Sequence, residues 1–275
     1  MPELPEVETI ARFLRSGGRG QLGLVGARIS AVDLFWARTL ATGQAPAELQ
    51  PRLSGQSIVA IGRRGKFLRL DLDHDTLLFH LRMSGDLVVG PAGLPPGIHD
   101  RFSLDFSDGR RLTFVDPRKF GRVWLSDRPD EVLPSLGPEP LEDGFTPDWL
   151  FSSLNARDRH LKPLLLDQSF IAGLGNIYTD EALYRAQLHP LRPASGLTRA
   201  ESDRLWLAIR EVLAEGIDRQ GSSIDWVYRG GDFQNYFSAY QRTGEACPRC
   251  GTPIERIVVG QRGTHFCPVC QPLLG

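Results

Sequence analysis

The chain begins Met1-Pro2-Glu3-Leu4-Pro5-Glu6-Val7-Glu8-Thr9, and the interpretation of the rest of the sequence starts from this stretch. Removal of the methionine would leave Pro2 as an N-terminal secondary amine. An α-amino group titrates at about 7.7–8.0, so a usable fraction of it is uncharged near neutral pH. Such an amine can attack a sugar aldehyde carbon to give a cationic iminium, which acts as an electron sink. Glu3 and Glu6 follow closely enough to serve as a proton donor and a water-positioning base.

The same stretch also has the features of a helix start. Pro5 is acceptable in a first helical turn, and acidic residues suit the positive end of a helix dipole. Apolar residues then recur at helical spacing, and Ser16-Gly17-Gly18 ends the pattern. The apolar positions are Val7, Ile10, Ala11 and Leu14. Both interpretations can hold together if the helix buries this stripe and holds its acidic N-terminus at a cleft.

Length and composition are those of a soluble globular protein. The 275 residues are enough for two domains, and 41% hydrophobic and 24% charged residues are ordinary values. No apolar run reaches transmembrane length, and the acidic N-terminus lacks the apolar core of a secretory signal. The net charge of −1 and the pI of about 6.6 count against a generally basic nucleic-acid-binding protein. Any DNA-binding surface must therefore be a local basic stripe.

All four cysteines lie near the C-terminus, in two C-x2-C pairs: Cys247, Cys250, Cys267 and Cys270. This spacing is typical of a four-cysteine zinc site, in which the thiolates fill every coordination position and the metal is structural. An iron–sulfur cluster and a redox dithiol are the alternatives. The absence of cysteine elsewhere in the sequence favours a reducing cytoplasm. Between the pairs, residues 254–259 and 264–266 suit two strands, with Arg262 at the hairpin tip.

Short alternating segments predict a β-sandwich in the first half of the chain. Residues 28–34, 57–61 and 66–72 alternate in polarity, and residues 101–116 form the clearest hairpin, with a turn at Asp108-Gly109. We expect the first helix to pack against this sandwich.

Three segments in this half carry cationic or apolar side chains that a loop could expose. Arg63-Arg64-Gly65-Lys66 is either a solvated hairpin tip or a phosphate contact. Met83 lies at the end of a strand-like run, before Ser-Gly, where a loop could project it. Phe120 stands in Asp116-Pro117-Arg118-Lys119-Phe120-Gly121 and is either core or an exposed aromatic wedge.

The second half is predicted to be helical after a proline-rich linker. Thr146 caps one helix and Thr198-Arg199-Ala200-Glu201 forms the capping box of another. Between them, a short helix at 162–166 is broken by Ala172-Gly173-Leu174-Gly175-Asn176, and a further helix follows at 177–186. A glycine turn that leads into a helix N-terminus can bind phosphate. Residues 221–238 are glycine-rich and aromatic, and are either a linker or a mobile lid.

These motifs, in this order, resemble the formamidopyrimidine-DNA glycosylase family, also called bacterial 8-oxoguanine DNA glycosylases. The first nine residues are similar to the N-terminus of that family, the glycine turn to its helix–two-turn–helix element, and Gln261-Arg262-Gly263-Thr264 to its zinc-hairpin motif. Leu4 favours this branch over the related endonuclease VIII branch. The resemblance extends from residue 2 to the last cysteine pair.

The resemblance implies roles for individual residues. It implies five catalytic residues, with Lys66 in β-elimination and Arg262 in phosphate binding and δ-elimination: Pro2, Glu3, Glu6, Lys66 and Arg262. It implies eight DNA-binding residues: Met83, His99, Arg118, Lys119, Phe120, Arg157, Lys162 and Asn176. Among these, Met83 and Phe120 would fill or wedge the gap, and Arg118 would read the orphaned cytosine. Asn176 and Lys162 would grip phosphates, and Lys119 stands where many relatives have arginine.

We therefore expect an α+β fold with an N-terminal β-sandwich and packed helix, a helix–two-turn–helix domain and a C-terminal zinc β-hairpin. The expected limits are 1–130 for the catalytic domain, 131–146 for the linker, 147–238 for the DNA-binding domain and lid, and 239–275 for the zinc finger.

The expected function is that of a bifunctional DNA glycosylase and AP lyase in base excision repair. Oxidised purines, namely 8-oxoguanine opposite cytosine and formamidopyrimidines, would be excised through a Pro2 Schiff base and β,δ-elimination. We expect a cytoplasmic, bacterial monomer that binds damaged double-stranded DNA, holds one structural Zn²⁺ and has no membrane partner. The alternatives are an endonuclease VIII-type enzyme for oxidised pyrimidines and a non-enzymatic zinc DNA-binding protein. Asp225 and Trp226 make the lid region less typical, so base selectivity is the least determined point.

Overall fold

The structure is a computed structural model that describes residues 1–18, 20–41, 45–133, 135–223 and 230–273. It contains two compact units. The first is formed mainly by Met1–Pro2 and Glu6–Pro134, and the second by Glu3–Pro5, Ser135–Ser223 and Gly230–Gly275. Part of the predicted lid, residues 224–229 with Asp225 and Trp226, lies outside the described residues.

The first unit is mostly strand. Its elements are α1 (Leu4–Ser16, of which the first two residues belong to the second unit), β1 (Gly17–Gly18), β2 (Gln21–Leu22), β3 (Ile29–Leu34), α2 (Pro46–Leu53), β4 (Ile58–Arg64), β5 (Phe67–Leu72), β6 (Thr76–His80), β7 (Asp86–Pro91), β8 (Asp100–Phe106), β9 (Arg110–Val115) and β10 (Arg122–Ser126). Short 3-10 turns lie at Ala37–Thr39 and Pro129–Glu131.

Eight of these strands form two four-stranded antiparallel sheets, in the orders β10-β6-β5-β4 and β3-β8-β9-β7, and β1 pairs with β2 in a separate two-stranded sheet. Phe79 of the first sheet makes edge-to-face contacts with Phe102 and Phe114 of the second, with ring centroids 5.9 and 5.8 Å apart. The two sheets therefore share one core. The predicted apolar stripe of α1 lies in the same core, through Val7, Ile10, Ala11 and Leu14.

The predicted hairpin is confirmed. β8 and β9 pair across a turn in which Gly109 has φ of 83°, a left-handed conformation that glycine adopts without steric cost. The sandwich with a packed first helix is thus the observed architecture, and the predicted fold class is confirmed. Helix α2, which begins at Pro46, was not anticipated from the sequence.

The second unit is mostly helical. Its elements are α3 (Pro147–Asn155), α4 (Leu161–Leu165), α5 (Asn176–Ala186), α6 (Arg199–Asp218), β11 (Glu255–Val259) and β12 (Arg262–Phe266), with 3-10 turns at Ala194–Gly196 and Phe233–Tyr236. Both predicted caps are confirmed. Thr146 accepts a hydrogen bond from the Trp149 amide, and Thr198 and Glu201 form a reciprocal capping box.

Across the described ranges, every helix is too short or too polar to cross a bilayer.

Asp86, at the start of β7, is a half-buried carboxylate of the sandwich. Its Oδ1 accepts a hydrogen bond from the Leu87 amide at 2.8 Å. Burial raises the pKa of Asp86 from its ordinary 3.8 to about 6, and this hydrogen bond opposes the rise only in part.

The raised pKa predicts how Asp86→Asn changes stability with pH. The native state binds the Asp86 proton more tightly than the unfolded chain does, so this stabilising contribution is full below the unfolded pKa and is lost as pH rises through about 6. Asparagine does not titrate, so the variant does not lose this stabilisation as the pH rises. Relative to wild type, the free energy of unfolding of the variant should therefore rise by about 2 kcal/mol between pH 4 and pH 8. Urea unfolding at several pH values measures the difference.

Asp108→Asn is the matched control. The pKa of Asp108 is lowered, chiefly by its hydrogen bond from Arg110, so its pH trend should have the opposite sign. A difference between Asp86→Asn and wild type that does not change with pH would contradict the prediction.

Candidate functional site

Glu3 is bound at the N-terminus of α5. The Ile177 amide donates to Glu3 Oε1 at 3.0 Å, and the Tyr178 amide donates to Oε2 at 3.4 Å. These amides belong to the first helical turn, whose N–H groups have no partner within the helix. The positive end of the helix favours a negative charge at this position. Glu3 is therefore held in a fixed orientation as a buried carboxylate.

Two glycines make this approach possible. A Cβ on Gly175 would lie 2.2 to 2.6 Å from three atoms of the Glu3 side chain, which leaves no space for any larger residue. Gly173 has φ of 90°, and its carbonyl accepts from the Leu4 amide at 3.1 Å. The Gly-Leu-Gly sequence thus anchors residues 3 and 4, and the phosphate binding expected of this glycine turn stays a prediction.

Asp180 and Glu181, two adjacent buried carboxylates of α5, hold the surrounding segments. Asp180 pairs with Lys162 of α4 and accepts from the His265 amide at 3.0 Å and from His265 Nδ1 at 3.1 Å. Glu181 accepts three backbone amides, from residues 238–240. Burial raises the pKa of Glu181, and these three amides oppose the rise.

Lys162 is enclosed by these contacts. Its side chain is 0% exposed, and its Nζ also donates to the Asn176 carbonyl at 3.2 Å. Burial lowers the pKa of Lys162, and the charge of Asp180 opposes the shift. The phosphate contact expected of Lys162 stays a prediction. In this geometry the Lys162 ammonium group donates hydrogen bonds to the Asn176 carbonyl and to the Asp180 carboxylate.

Asn176 and Arg262 lie beside the zinc hairpin. Asn176 Nδ2 donates to the Gly263 carbonyl at 2.9 Å, which links the start of α5 to β12. Arg262 is exposed and begins β12, directly after Gly260 and Gln261 of the turn. The positive charge of Arg262 contributes to the lowered pKa of Lys162. Arg157 is exposed after α3, with its guanidinium 5.0 Å from the centre of the Phe170 ring.

The four cysteines fit a zinc ion. Their sulfurs all lie within 4.8 Å of one another. Cys247 and Cys270 are 3.9 Å apart, and Cys250 and Cys267 are 3.5 Å apart. Zn–S bonds of about 2.3 Å in a tetrahedron place sulfurs about 3.8 Å apart. Four thiolates leave no open position, so the zinc would hold the hairpin rather than bind a substrate. The predicted metal site is confirmed.

Lys66 is buried in the turn between β4 and β5, after Gly65 with φ of 56°. It lies near His80 of β6. Burial, together with the charges of Arg82 and Lys66, lowers the pKa of His80 to about 3, so this imidazole is neutral. His80 Nδ1 accepts from the Arg82 amide at 3.1 Å. Before this turn, Arg63 of β4 is paired with Glu8 of α1 at 3.1 Å.

Pro2 and Glu6 are both buried. Met83, Arg118, Lys119 and Phe120 are all exposed on two loops of the first unit. The Arg118 guanidinium lies 5.1 Å from the Phe120 ring centre, and Lys119 Nζ lies 4.2 Å from that of Trp36. His99 is exposed on a third loop.

The structure thus brings the predicted residues together in groups. Within the second unit, Glu3, Lys162, Asn176 and Arg262 surround the start of α5 and the adjoining hairpin. Within the first unit, Lys66 forms one group, and Met83 with the residues around Phe120 forms another. The roles assigned to them stay predictions.

The sequence analysis did not predict several buried residues that position the site residues through hydrogen bonds or packing. Among them are His80, Asp116, Asp180 and His265. A carboxylate before proline at a strand end was a usable signal for Asp116. No sequence pattern marks Asp180, because its partners are far away in the chain.

Comparison with known proteins assigns the family. Residues 1–123 match the model of the formamidopyrimidine-DNA glycosylase N-terminal domain, residues 136–227 match the H2TH domain of the same family, and residues 244–273 match the zinc finger found in FPG and IleRS. The formamidopyrimidine-DNA glycosylase of Chloroflexus aurantiacus is 49% identical over 282 residues, covering 98% of each chain. That of Geobacillus kaustophilus is 42% identical over 279 residues, covering 98% of this chain and 100% of the relative.

Solved structures agree with this assignment. The Lactococcus lactis Fpg (MutM), in a complex with DNA containing N7-benzyl-Fapy-dG, matches with a TM-score of 0.89 and 39% identity, over 98% of this chain and 100% of that chain. A structure of MutM with DNA containing carbocyclic 8-oxo-G matches with a TM-score of 0.89 and 38% identity, over 98% and 100% of the two chains.

Fold, zinc site and N-terminal carboxylate all belong to one class of protein, the DNA glycosylases that combine a β-sandwich with a helical unit and a zinc hairpin. Within that class, the chain belongs to the formamidopyrimidine-DNA glycosylase family.

Gly175→Ala tests the placement of Glu3. The added methyl group would occupy the space of the Glu3 carboxylate, and a displacement of about 1 Å of a reacting group can cost ~100-fold in rate. We expect the rate of base release in single turnover to fall by about that factor. Gly196→Ala is the control, since nothing lies within 4 Å of its Cβ. Equal rates for the two variants would contradict the prediction.

Zinc removal tests the role of the metal. The protein should contain one zinc, and Cys267→Ser should retain less than about a tenth of it, because the buried thiolate cannot be replaced by a hydroxyl. The variant should show faster proteolysis within residues 244–273, while the sandwich stays protected. Metal analysis and mass-spectrometric mapping of the cleavage sites measure both effects. A variant with full zinc content would contradict the four-cysteine site.

Proposed function

We propose that the protein is a bifunctional DNA glycosylase and AP lyase that removes oxidised purines from double-stranded DNA. The observation that carries the proposal is Glu3, which directly follows Pro2 and is fixed by the first amides of α5. Solved relatives have been crystallised with DNA that contains Fapy-dG or carbocyclic 8-oxo-G, which supports the same substrate class for this chain. The proposed site residues follow from this reaction.

We propose that Met1 is removed, which frees the Pro2 nitrogen as a secondary amine. The first step is then attack of this nitrogen on C1′ of the damaged nucleotide. The glycosidic bond breaks, and its electron pair leaves with the base, which takes up a proton. The Pro2 nitrogen then carries a positive charge and one proton to lose. Glu3 is held as a carboxylate, so it takes that proton and passes it to the ring oxygen. The sugar ring opens and leaves an iminium between Pro2 and C1′.

The iminium makes the C2′ proton acidic, and loss of this proton expels the 3′ phosphate. A second elimination expels the 5′ phosphate, which leaves a one-nucleoside gap. We propose that Lys66 assists the first elimination and that Arg262 assists the second by stabilising the departing phosphate. Glu6 would position the water that hydrolyses the final imine.

Binding requires that the duplex be kinked, because the C1′ atom cannot be reached within the stack. Met83 and Phe120 are exposed apolar side chains, and the Arg118 guanidinium lies beside the Phe120 ring, which is the composition of a wedge. They would fill the space left by the extruded base, while Arg118 contacts the orphaned cytosine. His99, Lys119, Arg157 and Asn176 would contact the backbone, with Asn176 held in place by Lys162.

Each of the predicted domains would have a separate role in this reaction. Residues 1–130 would supply the chemistry and the wedge, 147–238 would bind the backbone, and 239–275 would present Arg262. We propose a monomer that acts in the bacterial cytoplasm. The zinc, bound by the four cysteines, would support the hairpin and take no part in the chemistry.

Borohydride trapping tests the proposal. Reduction in the presence of an 8-oxoguanine:cytosine duplex should give a covalent protein–DNA adduct at Pro2, identified by peptide mapping. Pro2→Gly, and a chain with one extra residue before Pro2, should each lose at least about 100-fold in base release, because the secondary amine is absent or displaced. Glu3→Gln should bind the duplex but turn over poorly.

A panel of lesions separates the related functions. Preferential excision of oxidised pyrimidines would favour the endonuclease VIII type. Tight binding with no adduct and no base release would favour a non-enzymatic DNA-binding protein.

A further inference from the structure

Met83 and Phe120 lie on two loops with the same unusual backbone feature. The side chains are 42% and 49% exposed. Each follows a long cationic residue in the left-handed region, Arg82 with φ of 55° and Lys119 with φ of 61°. Residues with a Cβ rarely adopt this conformation, and they keep it only where the surroundings impose it. Both loops must therefore be held by specific contacts.

Those contacts meet at the Asp116 carboxylate, which is 1% exposed. Its Oδ1 accepts from the Ser84 hydroxyl and from the Arg118 amide at 3.2 Å, and its Oδ2 accepts from the Gly121 amide at 2.7 Å. Ser84 directly follows Met83, whereas Arg118 and Gly121 flank Phe120. One carboxylate thus binds both loops at once.

Ser84 is the link between the loops. Its buried Oγ donates to Asp116 and also accepts from the Arg118 amide at 3.2 Å. Because Ser84 and Arg118 are far apart in sequence, this contact closes one loop on the other. The Asp116 backbone adds a third connection, since its amide donates to the His99 carbonyl at 2.9 Å.

The packing of Gly121 gives the joined loops little freedom. A Cβ at this position would lie 2.3 Å from the Phe114 ring of the sandwich core. The end of the Phe120 loop is therefore pressed against a fixed element. An ionised carboxylate accepts hydrogen bonds only, so it can serve all three donors. Asparagine has the same shape but would turn an NH2 group toward one of these donors.

We propose that Asp116 and Ser84 are positioning residues that join the loops of Met83 and Phe120 into one preformed wedge. This inference rests on the proposed function, in which both side chains enter the DNA. A wedge whose parts are fixed in advance enters the duplex without first having to order its loops. The ordinary alternative is a turn cap that serves the Phe120 loop alone, in which case Met83 would act independently.

The two possibilities differ in how the effects of Met83→Ala and Phe120→Ala combine. Single-turnover base release from an 8-oxoguanine:cytosine duplex is measured for both variants and for the double variant, with serine and with alanine at position 84. With serine at position 84, we expect base release by the double variant to be at least about fivefold faster than the rate obtained by multiplying the losses of the two single variants. The reason is that either single substitution already disables the joined wedge, so the second adds little further loss. In the Ser84→Ala background the effects should multiply. Coupling of equal size in both backgrounds would overturn the proposal.

Ser103→Ala is the matched control. Ser103 is a buried serine of the same sandwich, and its hydroxyl has no hydrogen-bond partner in the described structure. Its removal should leave the coupling unchanged. Asp116→Asn is the second variant. It should weaken discrimination between cytosine and adenine opposite the lesion, while elimination at a preformed abasic site without an opposite base keeps its rate. If Asp116→Asn slowed base release and elimination at the abasic site by the same factor, Asp116 would have only a general structural role, and the proposal would be overturned.

Failure of this inference is distinguishable from failure of the proposed function. If the chain is not a glycosylase, the wild-type protein releases no base. If only the inference fails, wild-type excision proceeds, and the effects of Met83 and Phe120 combine without regard to Ser84.

Discussion

The second unit depends on two adjacent buried carboxyl groups of α5, each of which takes hydrogen-bond partners from other segments in place of water. Asp180 and Glu181 are both inaccessible to solvent, and a buried carboxylate is tolerated only when ion pairs or hydrogen bonds replace water. Asp180 takes its partners from α4 and β12, and Glu181 takes three amides from the chain that leads into the zinc hairpin. Loss of either carboxylate would leave cations or amides unpaired in the interior. The start of α5, where Glu3 is bound, is fixed by the same helix.

The first unit uses one buried carboxylate, Asp116, in a similar way. Asp116 gathers donors from two loops that would otherwise relax from strained conformations. The exposed apolar side chains lie at the ends of these constrained loops, so their exposure is stable although it is unfavourable in water. In both units a buried acceptor positions exposed groups, which is how a rigid scaffold presents residues intended for a partner.

The net charge of −1 is compatible with a nucleic-acid partner because charges are sorted by location. Carboxylates such as Glu8, Asp105 and Asp180 neutralise cations inside each unit, at Arg63, Arg111 and Lys162. Arg118, Lys119, Arg157 and Arg262 remain exposed. Attraction to phosphate would then come from a few local cations, so binding should depend on their positions more than on overall charge.

The sequence by itself determined the local helices and strands, the possible amine chemistry of Pro2 near the N-terminus and the zinc site near the C-terminus. Periodicity predicted α1 and most of the sandwich strands, but not β7 or β10. Cap residues predicted the starts of α3 and α6, and cysteine spacing predicted the zinc site, because each of these signals is a short local motif. Only the tertiary structure decided that Gly175 makes space for Glu3, that Lys162 is enclosed by Asp180, and that Asp116 joins two loops. Each of these depends on residues distant in the chain, and a buried polar group shows its partners only after the chain has folded around it.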